Sequence, residues 1–441
     1  MSRKKKARDQ APFEIEVTGF DDQGRAVARR DGKVVFIHGA LPGEQVQARY
    51  LRMQGRYDEA EVQTVLKAHP SRVTPKCEHH DVCGGCVLQH LDHSEQIKLK
   101  QERLAENLKR LGHQEPDEWL PPLVGEPWGY RTKARLGVKN VPKKGGALVG
   151  FRERQGRYIA DINACPVLDS RVGKQIGRLR ETIGGLRLKD RIPQIEVSLG
   201  ETSGTLAFRH LDALQAEDRA TLCALGEDLS LTMFGQGGGP ATIAPMVSGE
   251  SDVARYRLGD YDLTMRFGLH DFTQVNFAMN QRMVRQAIEW LRPQELSSVL
   301  DLFCGIGNFT LPIARSGVEV MGVEGSEPAV QRARENAAAN GLGHVRFEVA
   351  NLFDTDACSK VLGQSPDGLL LDPPRSGAAE LVAALKDPLP KRIVYVSCSP
   401  STLARDTDHL CNALGYRLRA AGIIDMFPHT NHVESMAVFE R

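Results

Sequence analysis

From Asn276 to the C-terminus the sequence alternates helical stretches with five short apolar runs, and no other feature of the chain narrows its possible folds as much. After a helix ending near Arg292, the runs fall near 298–303, 319–324, 345–349, 368–371 and 392–397. Strands this short, bounded by turn residues and separated by helices, build a parallel sheet covered on both faces. Residues 268–441 are therefore expected to form an α/β domain with a doubly wound, Rossmann-like sheet. Open sheets of this kind hold ligands outside the carboxyl ends of their strands.

Several residues with chemical promise lie on that rim. Val299–Thr310, VLDLFCGIGNFT, passes from strand through a glycine turn into a helix, where Gly305 and Gly307 let the backbone approach a ligand closely. A dinucleotide fingerprint needs a third glycine where this chain has Thr310, which counts against a nicotinamide cofactor. Glu324 ends the next strand, 19 residues after Gly305, in place to accept hydrogen bonds from both ribose hydroxyls. With Asp301 it makes an acidic surrounding that suits a cation better than a pyrophosphate, and S-adenosylmethionine, a sulfonium, fits. The plainer alternative is a glycine turn that only joins strand to helix. Asn351 follows the third strand, within reach of an adenine edge, and Asp372 opens a stiff Asp-Pro-Pro-Arg loop after the fourth. Cys398 ends the fifth, ahead of Pro400 and a helix whose N-terminus would favour a thiolate; the plainer reading is a buried structural cysteine. Glu434 is flanked by apolar Val433 and Met436, unlike an exposed surface acid.

The chain upstream reads differently. Over residues 12–70, short alternating runs such as Phe13, Ile15 and Val17 against Glu14 and Glu16, punctuated by Gly24, Gly32, Gly39 and Gly43, predict a small all-β module. An OB-like barrel of this pattern commonly binds single-stranded nucleic acid, although a purely structural module has the same signature. The net charge of +1 conceals an excess at this end, since residues 1–76 hold 15 Lys/Arg against 10 Asp/Glu. Arg3, Lys4, Lys5, Lys6 and Arg8, in a basic tail at 1–11, would attract a polyanion or simply be solvated. A second basic stretch, Arg131 to Arg157, has nine Lys/Arg and one acid, Glu153. Its strands flank Asn-Val-Pro-Lys-Lys-Gly-Gly, so a hairpin presenting a phosphate-contacting face is expected. No apolar run follows the N-terminal charges and none approaches the ~18 residues of a membrane span, so the cytosol is the expected compartment.

Nine cysteines in that compartment stay reduced, and their spacing is read as chemistry or packing. Cys77, Cys83 and Cys86 form C-x5-C-x2-C, with Gly84 and Gly85 making a tight loop that lets thiolates converge. Cys165, in a turn-like Asn-Ala-Cys-Pro, is the candidate fourth ligand, whereas Cys223, Cys358 and Cys411 fall in helical apolar patterns as buried hydrophobes. Four thiolates suit a tetrahedral zinc or an iron-sulfur cluster, and spacing alone does not separate them. His79, His80 and His90 are possible zinc ligands, but in this polar loop the plainer reading is surface histidines. Residues 71–267 are thus expected to be a central α+β domain carrying this site.

Several segments carry a resemblance. FDDQGRAVARRDGKVVFIHGALPGE resembles the TRAM domain of RNA-modifying enzymes, and CGGCVLQHLDHSEQIKLK resembles the iron-sulfur segment of RNA uracil-C5 methyltransferases. The set DLFCGIGNFT, LLLDPPRSG, YVSCSPSTLARD and DMFPHTNHVE is similar to that same family over nearly the whole chain, in the branch that acts on 23S rRNA. The resemblance implies a domain at 268–441 that uses S-adenosyl-L-methionine, a 4Fe-4S cluster on Cys77, Cys83, Cys86 and Cys165, and 23S rRNA as partner, with no obligate protein partner. It also implies Cys398 as nucleophile, Glu434 as base, and cofactor contacts at Gln274, Phe303, Asn308, Glu324, Asn351 and Asp372. One departure is Ser399, where the family usually has Asn, and it puts the local loop hydrogen bonding in question. Other readings are a tRNA or different rRNA uridine as target, a cytosine-C5 methyltransferase, and an RNA-binding iron-sulfur protein without catalysis. A radical use of the cofactor is disfavoured because a fourth cysteine closes the cluster.

Overall fold

The computed structural model describes residues 11–21, 24–154 and 156–441, so the basic run Arg3 to Arg8 lies outside the described residues. Contacts gather the chain into two compact units. The first comprises the described residues up to Lys98, with 151–162 and 428–431; the second comprises 99–150, 163–427 and 432–441.

In the first unit six strands pair in the order Phe13–Glu16, Gln45–Met53, Tyr57–Lys67, Lys33–His38, Ala26–Arg30, Gly19–Phe20. Period-two alternation decides the buried face: Phe13 and Ile15 point inward, Glu14 and Glu16 outward, and Ala28, Val35, Ile37, Val46 and Ala60 complete one core. Asp31 and Gly32, both at positive φ, make the tight turn between two of these strands. Glu44, fully buried, is held by Arg72 at 2.5 and 2.7 Å and by the backbone N–H groups of Leu41 and His69. These partners keep its carboxyl below the usual range although burial opposes them.

The second unit contains an eight-stranded sheet ordered Arg346–Val349, Glu319–Glu324, Ser298–Leu302, Gly368–Leu371, Arg392–Ser397, Glu434–Glu440, Arg417–Ile424, Glu118–Trp119. Its first five strands are parallel and coincide with the five apolar runs to within a residue. Gly368–Leu371 is buried at every position and Arg392–Ser397 at all but its first, as strands covered on both faces must be. Chain order steps outward from Ser298–Leu302 in one direction and from Gly368–Leu371 in the other. The crevice outside the carboxyl ends of these two strands is the topological switch point. Glu434–Glu440 then inserts antiparallel beside Arg392–Ser397.

A second sheet of this unit holds the expected basic hairpin, Lys133–Val141 paired with Gly146–Gly150. Helices Ile176–Gly185 and Ala216–Leu229 lie in the part expected to be α+β, without a clear periodic signal of their own. Gly184, Gly185 and Gly226 dilute their helical signal. Among the described residues, no helix is long and apolar enough to cross a membrane.

Candidate active site

The loop after Ser298–Leu302 is shaped by where its side chains can go. Cys304, Ile306 and Phe309 are buried in the core, while Phe303, Gly305 and Asn308 stay partly accessible. Phe303 takes a left-handed φ of +64°, uncommon for a bulky residue, and Gly305 (+53°) and Gly307 (+91°) follow it. The turn therefore presents bare backbone and one aromatic ring, which lies 5.7 Å from the Phe353 ring. Glu324, at the end of the neighbouring strand, closes the loop by accepting from Gly305 N at 3.2 Å and Ser326 N at 3.0 Å. Asn308 is fixed by a reciprocal pair with Asn280, 2.9 Å each way, and by the Tyr256 hydroxyl at 2.8 Å. Gln274 is buried in the segment leading to helix Phe277–Leu291, which Asn276 caps by accepting from Met279 N. Asn351 accepts from Phe353 N at 3.1 Å, and Asp372 continues from Leu302 through a backbone bond of 3.3 Å. Five of the six expected cofactor contacts thus lie at or just past the carboxyl ends of adjacent strands, and Gln274 precedes the helix that carries Asn280.

Asp301 differs from expectation. It sits inside the strand, fully buried, with Oδ2 taking the Thr310 hydroxyl at 2.5 Å, and it does not reach the rim. Burial, with Asp372 and Glu324 adding repulsion, pushes its carboxyl up to about 7 against the opposing Thr310 bond. Glu324 is left as the accessible acid of the loop. Thr310, which marks the departure from a dinucleotide fingerprint, is the residue that holds the buried acid.

Strand register brings the expected nucleophile and base together. Ser397 pairs with Ser435 across antiparallel neighbours, so the next residue on one strand, Cys398, faces the preceding residue on the other, Glu434. The Ser435 hydroxyl donates to Ser397 O at 3.2 Å and pins this register. Glu434 is only 4% exposed, and burial together with Asp372 raises its carboxyl to about 8 while Arg375 opposes. Cys398 is half-buried. Its thiol is not lowered by the following helix, as the sequence suggests, but pushed up to about 11 by burial, Glu434 and Asp372, with Arg375 acting the other way. Serines replace the hydrogen bonding that Ser399 puts in question: Ser399 N donates to Ser397 Oγ at 3.1 Å, and Ser397 Oγ donates to Ser399 O at 3.1 Å.

Three groups near this pair are not evident from sequence. Arg375 lies on an exposed loop, where a lone cation has no pattern to mark it. His432 lies 2.8 Å from Arg375 Nη2, and burial and surrounding cations hold its ring down to about 4. Lys100 and Asp425, 2% and 0% exposed, pair at 2.6 Å, and Lys100 also donates to Phe427 O at 3.0 Å. A buried pair of this kind fixes the segment leading to Glu434, because losing either partner leaves an uncompensated charge.

The cysteine loop departs from expectation in two ways. Among the described residues, no group of three or more His, Cys, Asp or Glu side chains is placed to hold a metal ion, so a preformed four-thiolate site is not shown. Cys77, Cys83, Cys86 and Cys165 are all partly accessible, and burial raises the Cys77 thiol. His80 and His90 are buried rather than surface residues, with rings 5.5 Å apart and protonation held down to about 3 and 4 by burial. Of the three helical cysteines only Cys358 is fully buried; Cys223 and Cys411 are intermediate. Part of the basic stretch also turns inward. Lys133 donates to Asp271 O and is lowered to about 8 by burial, and Arg154 donates to His80 O and Cys86 O at 2.6 and 3.1 Å. Lys139, Lys143 and Lys144 remain exposed.

Comparison with known proteins gives concordant results. A family model described as tRNA (Uracil-5-)-methyltransferase matches residues 246–441, and the TRAM domain model matches residues 12–62. Curated relatives called 23S rRNA (uracil(1939)-C(5))-methyltransferase RlmD include one from Alkalilimnicola ehrlichii, 48% identical over 100% of this chain and 99% of that protein. Another, from Methylococcus capsulatus, is 46% identical over 99% of each. Among solved structures, the Pyrococcus abyssi tRNA (uracil-54, C5)-methyltransferase in complex with S-adenosyl-L-homocysteine superimposes with a TM-score of 0.75 and 26% identity, covering 97% of this chain and 99% of that one.

Proposed function

Because the chain belongs to the family of 23S rRNA (uracil(1939)-C(5))-methyltransferases, we propose that Cys398 and Glu434 are the pair through which it methylates C5 of a 23S rRNA uridine. The observation that carries this assignment is the register that sets a half-buried thiol opposite a buried carboxyl at the rim of the sheet. A uracil C5 is a poor nucleophile until something adds across the C5–C6 bond. The Cys398 thiolate forms the S–C6 bond, and the C5=C6 electron pair moves onto the conjugated carbonyl oxygen. That pair would return to form the C5–CH3 bond as the methyl–sulfur bond of the sulfonium breaks, its electrons staying on sulfur, so that neutral S-adenosylhomocysteine would leave. The Glu434 carboxylate then removes the C5 proton, the C–H pair restores C5=C6, and the thiolate leaves with the electrons of the S–C6 bond. With its carboxyl raised to about 8, the ionised form is a stronger base than an ordinary glutamate and the minority form at neutral pH.

S-adenosyl-L-methionine supplies the methyl group, and the residues present suit it: bare backbone at Gly305, an accessible ring at Phe303 and an acid at Glu324. Gln274, Phe303, Asn308, Glu324, Asn351 and Asp372 would hold it, with Glu324 accepting from ribose and Asn351 meeting the adenine. The RNA partner, 23S rRNA, is assigned to the β-module at 12–70 and to the exposed Lys139, Lys143 and Lys144 of the basic hairpin. Residues 71–267 form the middle part, residues 268–441 the methyltransferase part, and the compartment is the cytoplasm. A 4Fe-4S cluster on Cys77, Cys83, Cys86 and Cys165 is supported by their spacing and by the likeness of the segment; no step of the reaction passes through it.

The assignment is tested on 23S rRNA from a strain lacking the gene. C5 methylation should be missing at one uridine, the position given in the relatives' names, and restored by the wild-type gene but not by Cys398→Ala. Methylation that persists in the deletion strain, or returns with Cys398→Ala, would contradict it.

A further inference from the structure

The loop that follows Gly368–Leu371 is anchored to the helix that follows Cys398. Thr402 Oγ1 lies 3.3 Å from Arg375 O and 3.2 Å from Ser399 O, bridging the two loops. Arg405 donates to Ser376 O at 3.0 Å, and Asp406 accepts from Ala378 N at 2.9 Å and from the Tyr395 hydroxyl at 2.7 Å. These bonds fix the backbone of Arg375 beside the residue next to Cys398, while its side chain remains exposed. The guanidinium ends on His432, two residues before Glu434, with Nη2 at 2.8 Å from Nδ1. His432 is suited to receive it. Burial, Arg375, Lys100, Arg131 and Arg103 keep the ring neutral, so one of its nitrogens can accept from the guanidinium. The Phe427 ring, 5.4 Å away, packs against the imidazole.

Arg375 therefore spans the interval between the nucleophile's loop and the base's strand. The charged groups that act on Cys398 are Glu434 and Asp372, both acidic, and Arg375, the cation. Two carboxyls beside a half-buried thiol oppose its ionisation, and a neutral thiol does not attack C6.

We propose that Arg375, anchored beside the residue after Cys398 and oriented by His432, is the positioning residue that eases ionisation of the thiol for attack on the uracil ring. The inference rests on Cys398 being the nucleophile. On ionisation the thiol proton passes to solvent at the open side of the site. The sulfur keeps the electron pair that becomes the S–C6 bond, and no further reactant is needed. The role differs from bulk attraction of RNA, because it acts on the sulfur whether or not RNA is present.

Full-length wild type, Arg375→Gln, Arg375→Lys and His432→Ala would be alkylated with iodoacetamide between pH 7 and 10, with the Cys398 peptide followed by mass spectrometry. Arg375→Gln should move the reactivity profile up by about one pH unit and slow alkylation roughly tenfold at pH 8. Arg375→Lys should recover most of the rate, and His432→Ala should shift the profile the same way by less. Adduct formation with 5-fluorouridine RNA should show the same order of variants. Coincident profiles for wild type and Arg375→Gln, in proteins that bind S-adenosylhomocysteine equally, would overturn the proposal. Cys398→Ala separates the two claims: if it still forms the RNA adduct, the nucleophile assignment fails. If it forms none while the profiles coincide, only the role of Arg375 fails.

Discussion

Asp301 shows how a single side chain can be visible in sequence and still change meaning in the fold. Its place before a glycine turn suggests an acid facing a cationic ligand. Its strand is instead buried at four consecutive positions, so the acid lies in the core, where Thr310 partners one oxygen and Oδ1 has no partner. Cys398 stands out in the sequence because it follows the fifth apolar run, whereas Glu434, at the start of an antiparallel strand, is marked by its apolar neighbours and by the family resemblance. Arg375 and His432 do not stand out, since each is one polar residue on a loop and their contact joins positions 57 residues apart. A carboxyl raised to about 7 makes the folded protein bind a proton more tightly than the unfolded chain does. Stability is then lost as pH climbs from the ordinary carboxylate range to about 7 and levels off above it. Asp301→Asn keeps an acceptor for Thr310 and removes the charge, so its stability relative to wild type should rise between pH 5 and pH 8, by on the order of 3 kcal/mol at most. Denaturant midpoints across that range check this; a difference that does not vary with pH would show that the acid is not held protonated.

At the scale of elements, long apolar runs proved the most readable feature, because a strand buried on both faces can hardly be written otherwise. The five parallel strands follow directly from the sequence. Helices Ile176–Gly185 and Ala216–Leu229 do not, since glycines weaken their periodicity and packing against the sheet supplies what propensity lacks. In the cysteine loop, spacing speaks to ligand chemistry but not to packing, and the polar letters around it hid that His80 and His90 are buried. Metal chemistry at Cys77, Cys83, Cys86 and Cys165 is a prediction at this scale. Protein purified without air should be brown and carry about four irons per chain. Stoichiometric zinc without iron would remove the cluster, and the methyl-transfer chemistry would stand unchanged, since it uses none of these cysteines.

For the whole molecule, the net charge of +1 says little, and the distribution says more. The excess of cations lies toward the N-terminal end, while the site residues gather where strand order reverses in the second unit. The proposed function stands or falls on the chemistry at Cys398 and Glu434. Both residues act on one uracil ring at different times, so their loss should leave different traces. The most direct measurement incubates Cys398→Ala and Glu434→Gln with a 23S rRNA fragment and methyl-labelled S-adenosylmethionine, followed by denaturing gels and mass spectrometry. Glu434→Gln should accumulate a methylated RNA joined covalently to the Cys398 peptide, because attack and transfer proceed while removal of the C5 proton stalls; Cys398→Ala should give neither adduct nor methylated RNA. Free turnover by Glu434→Gln, or any adduct formed by Cys398→Ala, would contradict the assignment.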